Sequence, residues 1–362
     1  MNDAVRLDRH GKRAWQRARK VILKALACYD RHGSLPKSAW FSFDKKDNVR
    51  ALNRLLEEAI GVLEQTRLHE QRQLLEKIEG EVRRKRAEIV RYKSEEIGAT
   101  EERSWPMVSR KDPQSRVLRA KHDLTKLHTQ REQLVEQMVR ELQAMGLNLS
   151  SEQVQAILLS VSGDDVSCLV SLFFNIKQLT VQLQVLMEED AQDPIAAKRY
   201  YGMYVVLLQI LVHAHERFLQ RLEQEYLPSL QQLEDENLEQ RQNTKRLLRD
   251  ARDPTEKESL QANLGAQATT DNVVGLYRSF LVHQKSTTID ALEALDRRLE
   301  IATNTYRTAE IASNLVTLIR SSARDLNALQ SMKLPDLVAF ENQEMALKFQ
   351  AITARMRQFP RR

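Results

Sequence analysis

The chain has 362 residues, of which 29% are charged and 6% aromatic, with 10 Gly and 8 Pro. So little turn chemistry in a chain rich in Leu, Gln, Glu, Arg and Ala excludes a fold of many short strands and predicts few, long helices. The net charge of +6 is uneven: residues 1–150 hold 32 Lys and Arg against 22 Asp and Glu, and the remainder holds 24 against 28. A basic N-terminal portion predicts either an anionic partner, such as nucleic acid or lipid headgroups, or a solvated coiled-coil surface.

Residues 5–30 read as a first helix, because Trp15, Ala18, Ile22, Leu26 and Tyr29 recur at spacings of three and four. Arg6, Arg13, Arg17, Lys20 and Lys24 fall on the opposite face, which makes the helix basic and amphipathic. Opposed apolar and basic faces suit binding in the plane of an anionic membrane. The same pattern arises when the apolar stripe packs on another helix and the basic side is solvated. A connector follows at residues 32–47, with Trp40, Phe41 and Phe43 close together as candidate partner-binding residues.

Two long helical patterns come next. Leu52, Leu56, Ala59 and Leu63 begin the first, and Leu74, Ile78, Val82, Ile89 and Tyr92 continue it. Val117, Ala120, Leu124, Leu127, Leu134, Met138 and Met145 form the second, a four-three alternation broken by Arg131. This is a coiled-coil seam, and two such helices joined by an irregular stretch predict an antiparallel hairpin. Inside the first lies RRKR, Arg83, Arg84, Lys85 and Arg86, a candidate for contact with phosphate groups, although the four cations spread around a helix and Glu79, Glu81 and Glu88 lie nearby.

From residue 146 the chain turns less charged. Ser150 and Gln153 make a capping box for a short helix, GDD at residues 163–165 ends it, and a longer helix over 166–189 is apolar most of the way round, as expected of a helix covered by neighbours on several sides. Asp112-Pro113, Asp193-Pro194 and Asp253-Pro254 mark helix starts, where Asp accepts free backbone N–H groups and Pro tolerates the first position. The segments between them predict helices over 194–226, 228–251 and 254 to about 332, and Pro335 opens a final one.

The most apolar stretch, residues 200–212, supplies thirteen mostly apolar residues between Lys198-Arg199 and Glu216-Arg217. A bilayer takes about twenty, so no transmembrane span is expected. His213 and His215 are two apart, about 200° on a helix, so at most one faces the core and the two do not share a metal. No metal, cofactor or catalytic residue is assigned: GDD reads as helix-start chemistry rather than a Mg²⁺ site, and the acidic run at 188–193 as a solvated helix–helix turn. Phosphate-loop, dinucleotide and nucleophile-elbow motifs are absent from the sequence, as are the strands that frame them.

Cys28 and Cys168 each lie among apolar residues, which suggests a reducing compartment or a pair of buried thiols; a disulfide is the alternative. The apolar run after the basic opening is interrupted by Lys24 and is too short for a signal segment. The expected location is the cytoplasm, including its membrane periphery, and export is reopened only if a leader precedes this numbering.

Together these readings predict an elongated all-α protein: a basic helix and aromatic connector at 1–45, a long antiparallel coiled-coil hairpin at 46–146, and a helical bundle at 147–362. The function expected is that of a non-enzymatic structural or adaptor protein that engages a protein partner or forms a homo-oligomer through its long helices. The alternative is a peripheral binder of an anionic membrane surface or nucleic acid through the basic N-terminal helix. A third reading, a helical enzyme, requires carboxylates or histidines converging in one pocket.

Overall fold

The computed structural model describes residues 9–38, 44–64, 67–99, 113–145, 150–190, 193–311, 326 and 343–358. Among them every regular element is helical and none is a strand, so the chain is all-α. The helices are α1 (Arg9–Arg31), α2 (Lys45–Leu63), α3 (Arg67–Ala99), α4 (Pro113–Ala144), α5 (Ser151–Leu159), α6 (Gly163–Glu189), α7 (Pro194–Arg221), α8 (Leu227–Asp250), α9 (Pro254–Ile311) and α10 (Gln343–Met356). A 3₁₀ turn, His32–Ser34, follows α1, and a π-helical segment, Leu222–Tyr226, joins α7 to α8. The chain divides into two compact units, Met1–Thr66 with Ala156–Arg362, and Arg67–Gln155.

The first unit is a helical bundle built around α7, which packs on α9, α6, α1 and α2. The run Tyr204 to Leu208, within the uncharged stretch 200–212, is buried on all sides. Ile22 and Leu26 of α1, Ile60 of α2, Ile176 and Leu183 of α6, and Leu281 and Tyr306 of α9, on the helices that pack on α7, are buried too. Gly202 of α7 marks a close approach: a Cβ there would stand 2.8 Å from Leu26 Cδ1 and 2.8 Å from Tyr306 Cε2. The glycine lets α1 and α9 reach α7 together.

Helix ends follow the sequence where a cap is local. The Asp193 carboxylate accepts from Ile195 N at 2.9 Å and Ala196 N at 3.2 Å, ahead of Pro194. Asp44 and Asp47 form a capping box on α2, and Ser150 with Gln153 another on α5. The last carbonyl of α2 is closed from a distance, by Asn175 Nδ2 of α6 donating to Leu63 O at 2.5 Å. Where the sequence predicts one hairpin arm starting at residue 46, the chain makes two helices: α2 joins the bundle on α1, α6 and α7, and α3 begins anew at Arg67.

Pro228 does not separate two helices. The chain runs helically from Ile195 to Asp250, because the π segment just before the proline widens the turn and Leu227 N–H bonds to Leu222 O, five residues back. A wider turn relieves the clash that a proline ring otherwise makes with the carbonyl four residues earlier.

The expectation that no segment reaches membrane-spanning length is corrected. Gly163–Glu189 and Ile195–Asp250 each contain an 18-residue window apolar enough to cross a bilayer, with mean hydropathy 1.3 and 1.2. The thirteen-residue count measured only the charge-free run of α7, whereas a window carrying up to two charged residues extends further along a continuous helix, and α6 passes the same test. In the structure 61% and 67% of these windows is buried.

In the second unit α3 and α4 pack on each other and run antiparallel, since Glu79 meets Arg131 while Lys85 meets Asp123. Leu75, Ile78 and Val82 of α3, and Leu127, Leu134 and Met138 of α4, are buried along the pair. Arg131, which interrupts the apolar alternation, is half-buried and bonds through Nε to Glu79 Oε1 at 2.5 Å.

Candidate functional site

A polar array lies in the first unit on the C-terminal half of α7 and the π segment after it. His213, Arg217, Arg221 and Glu225 recur every four residues and so share one face. Two carboxylates meet that face from other helices. Glu57 of α2 contacts His213 Nε2 at 2.8 Å and Arg217 Nη1 at 2.6 Å. Asp165, on the first turn of α6, receives Arg221 Nη1 on Oδ1 at 2.6 Å and the Tyr226 hydroxyl on Oδ2 at 2.6 Å. The π segment makes this possible: residues five apart align on a turn of its width, so Arg221 and Tyr226 reach one carboxylate, and the Arg221 guanidinium lies 5.2 Å from the Tyr226 ring centroid.

Burial governs the chemistry of this array. Desolvation pushes the Asp165 carboxyl above the ordinary carboxylate range, against the opposing pull of Tyr226 and Arg221. Desolvation, together with the charge of Asp165, holds the Tyr226 phenol far above its usual value. Cys168 sits beside the array, 3.9 Å from Arg217 Nη2, and desolvation followed by the charge of Glu64 keeps it a thiol rather than a thiolate. His215 is buried and its Nδ1 lies 2.7 Å from Leu211 O, while burial lowers its pKa and keeps the ring neutral. Glu57 ties α2 to α7 through His213 and Arg217, and Asp165 ties α6 to it through Arg221.

A second buried network joins the α5–α6 turn to α9 and α10. Val161 N donates to the Tyr277 hydroxyl at 2.7 Å, which is 2.8 Å from Thr353 Oγ1, and Ser162 Oγ donates to Gln284 Oε1 at 2.7 Å. The Tyr277 ring stacks on Phe349 with centroids 4.2 Å apart, and burial pushes its phenol up to about 12.

The sequence-derived residues are placed as follows. Arg17, Lys20 and Lys24 are exposed on α1, while Ala18, Val21, Ile22, Ala25 and Leu26 on the other face are buried on the bundle. Arg6, Trp40, Phe41 and Phe43 lie outside the described residues, as does the side chain of Arg13. Arg83, Arg84 and Arg86 are exposed on α3, with Arg84 3.7 Å from Glu81, and Lys85 is held between Glu88 at 3.0 Å and Asp123 at 3.2 Å. Among the described residues no group of three or more His, Cys, Asp or Glu side chains is placed to hold a metal ion. Cys28 and Cys168 are free thiols, and Cys28 Sγ lies 3.1 Å from Asn48 Oδ1 of α2.

Sequence reasoning missed the α7 array, because its carboxylates are far away in the chain. The four-residue repeat His213, Arg217, Arg221, Glu225 was the readable signal. No protein-family model, curated protein or solved structure matches the chain.

Proposed function

We propose that the chain is a structural or adaptor protein, whose long helices hold a protein partner or a second copy of the chain. The observation that supports this reading is the use of its charged and polar groups between helices. Glu57, Asp165, Arg217, Arg221 and Tyr226 bind one another across helices, and Arg278 with Glu234 and Arg241 with Asp271 tie α8 to α9 in the same way. Groups engaged in this way fix geometry and leave no paired nucleophile and base open to a substrate. Exposed apolar side chains, among them Val282 and Ile301 of α9, are available for contact with another chain.

Light scattering over a series of concentrations, with a hydrophobic dye as a second probe, tests the proposal. Particles of two or more chains, or a monomer that binds the dye and loses it on adding a partner, agree with it. A monomer at every concentration that takes up no dye overturns it.

A further inference from the structure

The far end of the α3–α4 pair carries a concentration of charge that the adaptor reading does not use. Residues 83–94 and 115–129 contain ten Lys and Arg but two carboxylates, Glu88 and Asp123. The antiparallel register brings the two segments together, with Lys85 against Asp123 and the Arg116 guanidinium 5.9 Å from the Tyr92 ring.

The charge is not uniform around the pair. Lys85 draws both carboxylates to one side, and Arg84 pairs with Glu81. Arg83, Arg86, Val90 and Lys93 recur at three and four and form another stripe on α3; Leu118, Lys121 and Thr125 do so on α4. Val90 follows the seam residue Ile89, and Leu118 follows Val117. In an antiparallel pair the position after a seam residue falls on the same side in both helices. That side holds Arg83, Arg86, Lys93 and Lys121, all exposed and without an ion pair to another described residue, around Val90 at 64% and Leu118 at 70% exposure.

We infer that this face binds an anionic lipid bilayer. Charge complementarity requires an anionic occupant, and two exposed apolar side chains at the centre of the cations distinguish a lipid surface from a nucleic acid, whose phosphates offer them nothing to enter. The cations meet headgroups, each strengthening binding roughly fivefold, while Val90 and Leu118 enter the interface. The inference is independent of the adaptor reading and places membrane contact on α3–α4 rather than on α1, whose apolar stripe is buried.

Co-sedimentation of the full chain with phosphatidylcholine vesicles, with and without phosphatidylserine, is the test. The chain should sediment with the anionic vesicles only. Arg83→Gln/Arg86→Gln/Lys93→Gln/Lys121→Gln should weaken binding about a hundredfold or more, and Val90→Ser/Leu118→Ser several-fold, with helicity by circular dichroism unchanged in both. Arg84→Gln/Lys126→Gln, away from the stripe, should lose much less. No sedimentation, equal loss in the Arg84/Lys126 variant, or binding abolished only by Arg17→Gln/Lys20→Gln/Lys24→Gln on α1 overturns the inference. So does a quadruple variant that loses duplex DNA binding while the parent ignores vesicles.

Discussion

Arg131 of α4 and Glu79 of α3 meet at 2.5 Å inside a largely apolar seam, with side chains 14% and 8% exposed. A charge removed from water to this degree is tolerable because its partner is there. Arg131→Ala should therefore cost about 3 kcal/mol, whereas Arg131→Leu with Glu79→Leu should be near neutral or stabilising. Urea unfolding of the two variants separates these cases, and equal losses would show that the pair does not act as a unit.

Gly202 sets a steric limit. Gly202→Ala gains helix propensity worth about 1 kcal/mol but places a methyl group 2.8 Å from both Leu26 and Tyr306. Overpacking of this kind costs roughly 1–3 kcal/mol, so the melting temperature should fall. A rise would mean that α1 or α9 yields more easily than the packing suggests.

Two buried groups give opposite pH dependences. The lowered pKa of His215 means that the unfolded chain binds its proton first, so stability is lost as pH falls below the usual value of 6.5 towards the folded value. The raised pKa of Asp165 means that the folded chain binds its proton first, so this group adds stability as pH falls through the window from its raised value to the usual one. His215→Gln should flatten the first effect and Asp165→Asn the second. Denaturant midpoints of the three chains, measured from neutral pH into the carboxylate range, show whether the slopes change with these signs.

Tyr277→Phe keeps the ring on Phe349 but removes the hydroxyl that accepts from Val161 N and meets Thr353. A buried N–H left without a partner costs about 1–3 kcal/mol. The loss should appear as faster hydrogen exchange at Val161 and in α10, and an unchanged exchange pattern would count against the network's role in docking that helix.

What could be read from the sequence was what the chain decides within about four residues. The Asp193 cap and the Ser150–Gln153 box depend on neighbours in sequence, and each is present, whereas the all-round burial expected of α6 holds only for its first half and narrows beyond Phe173 to a stripe through Ile176, Leu179, Thr180, Leu183 and Met187. The array on α7 was not readable: Glu57 and His213 are 156 positions apart, and nothing local to either names the other. Arg131 was visible only as a flaw in a repeat, because a repeat shows where a charge interrupts it and not which carboxylate across the seam answers it. Pro228 misled for a similar reason. Proline disfavours an α turn, but the remedy, a wider turn next to it, depends on Tyr226 finding Asp165 on another helix.

The π segment also acts as a phase setter. One residue more than an α turn holds is accommodated between Arg221 and Leu227, so everything after it is rotated by about 100° relative to an unbroken α-helix. The positions of α8 that meet α9, Asn237 and Arg241 on Asp271 and Thr244 with Gln267, take their register from that single residue. Deleting one residue from Leu222–Tyr226 would leave the composition of α8 intact and turn its contact face away from α9, so the length of this segment is constrained more tightly than most of its side chains.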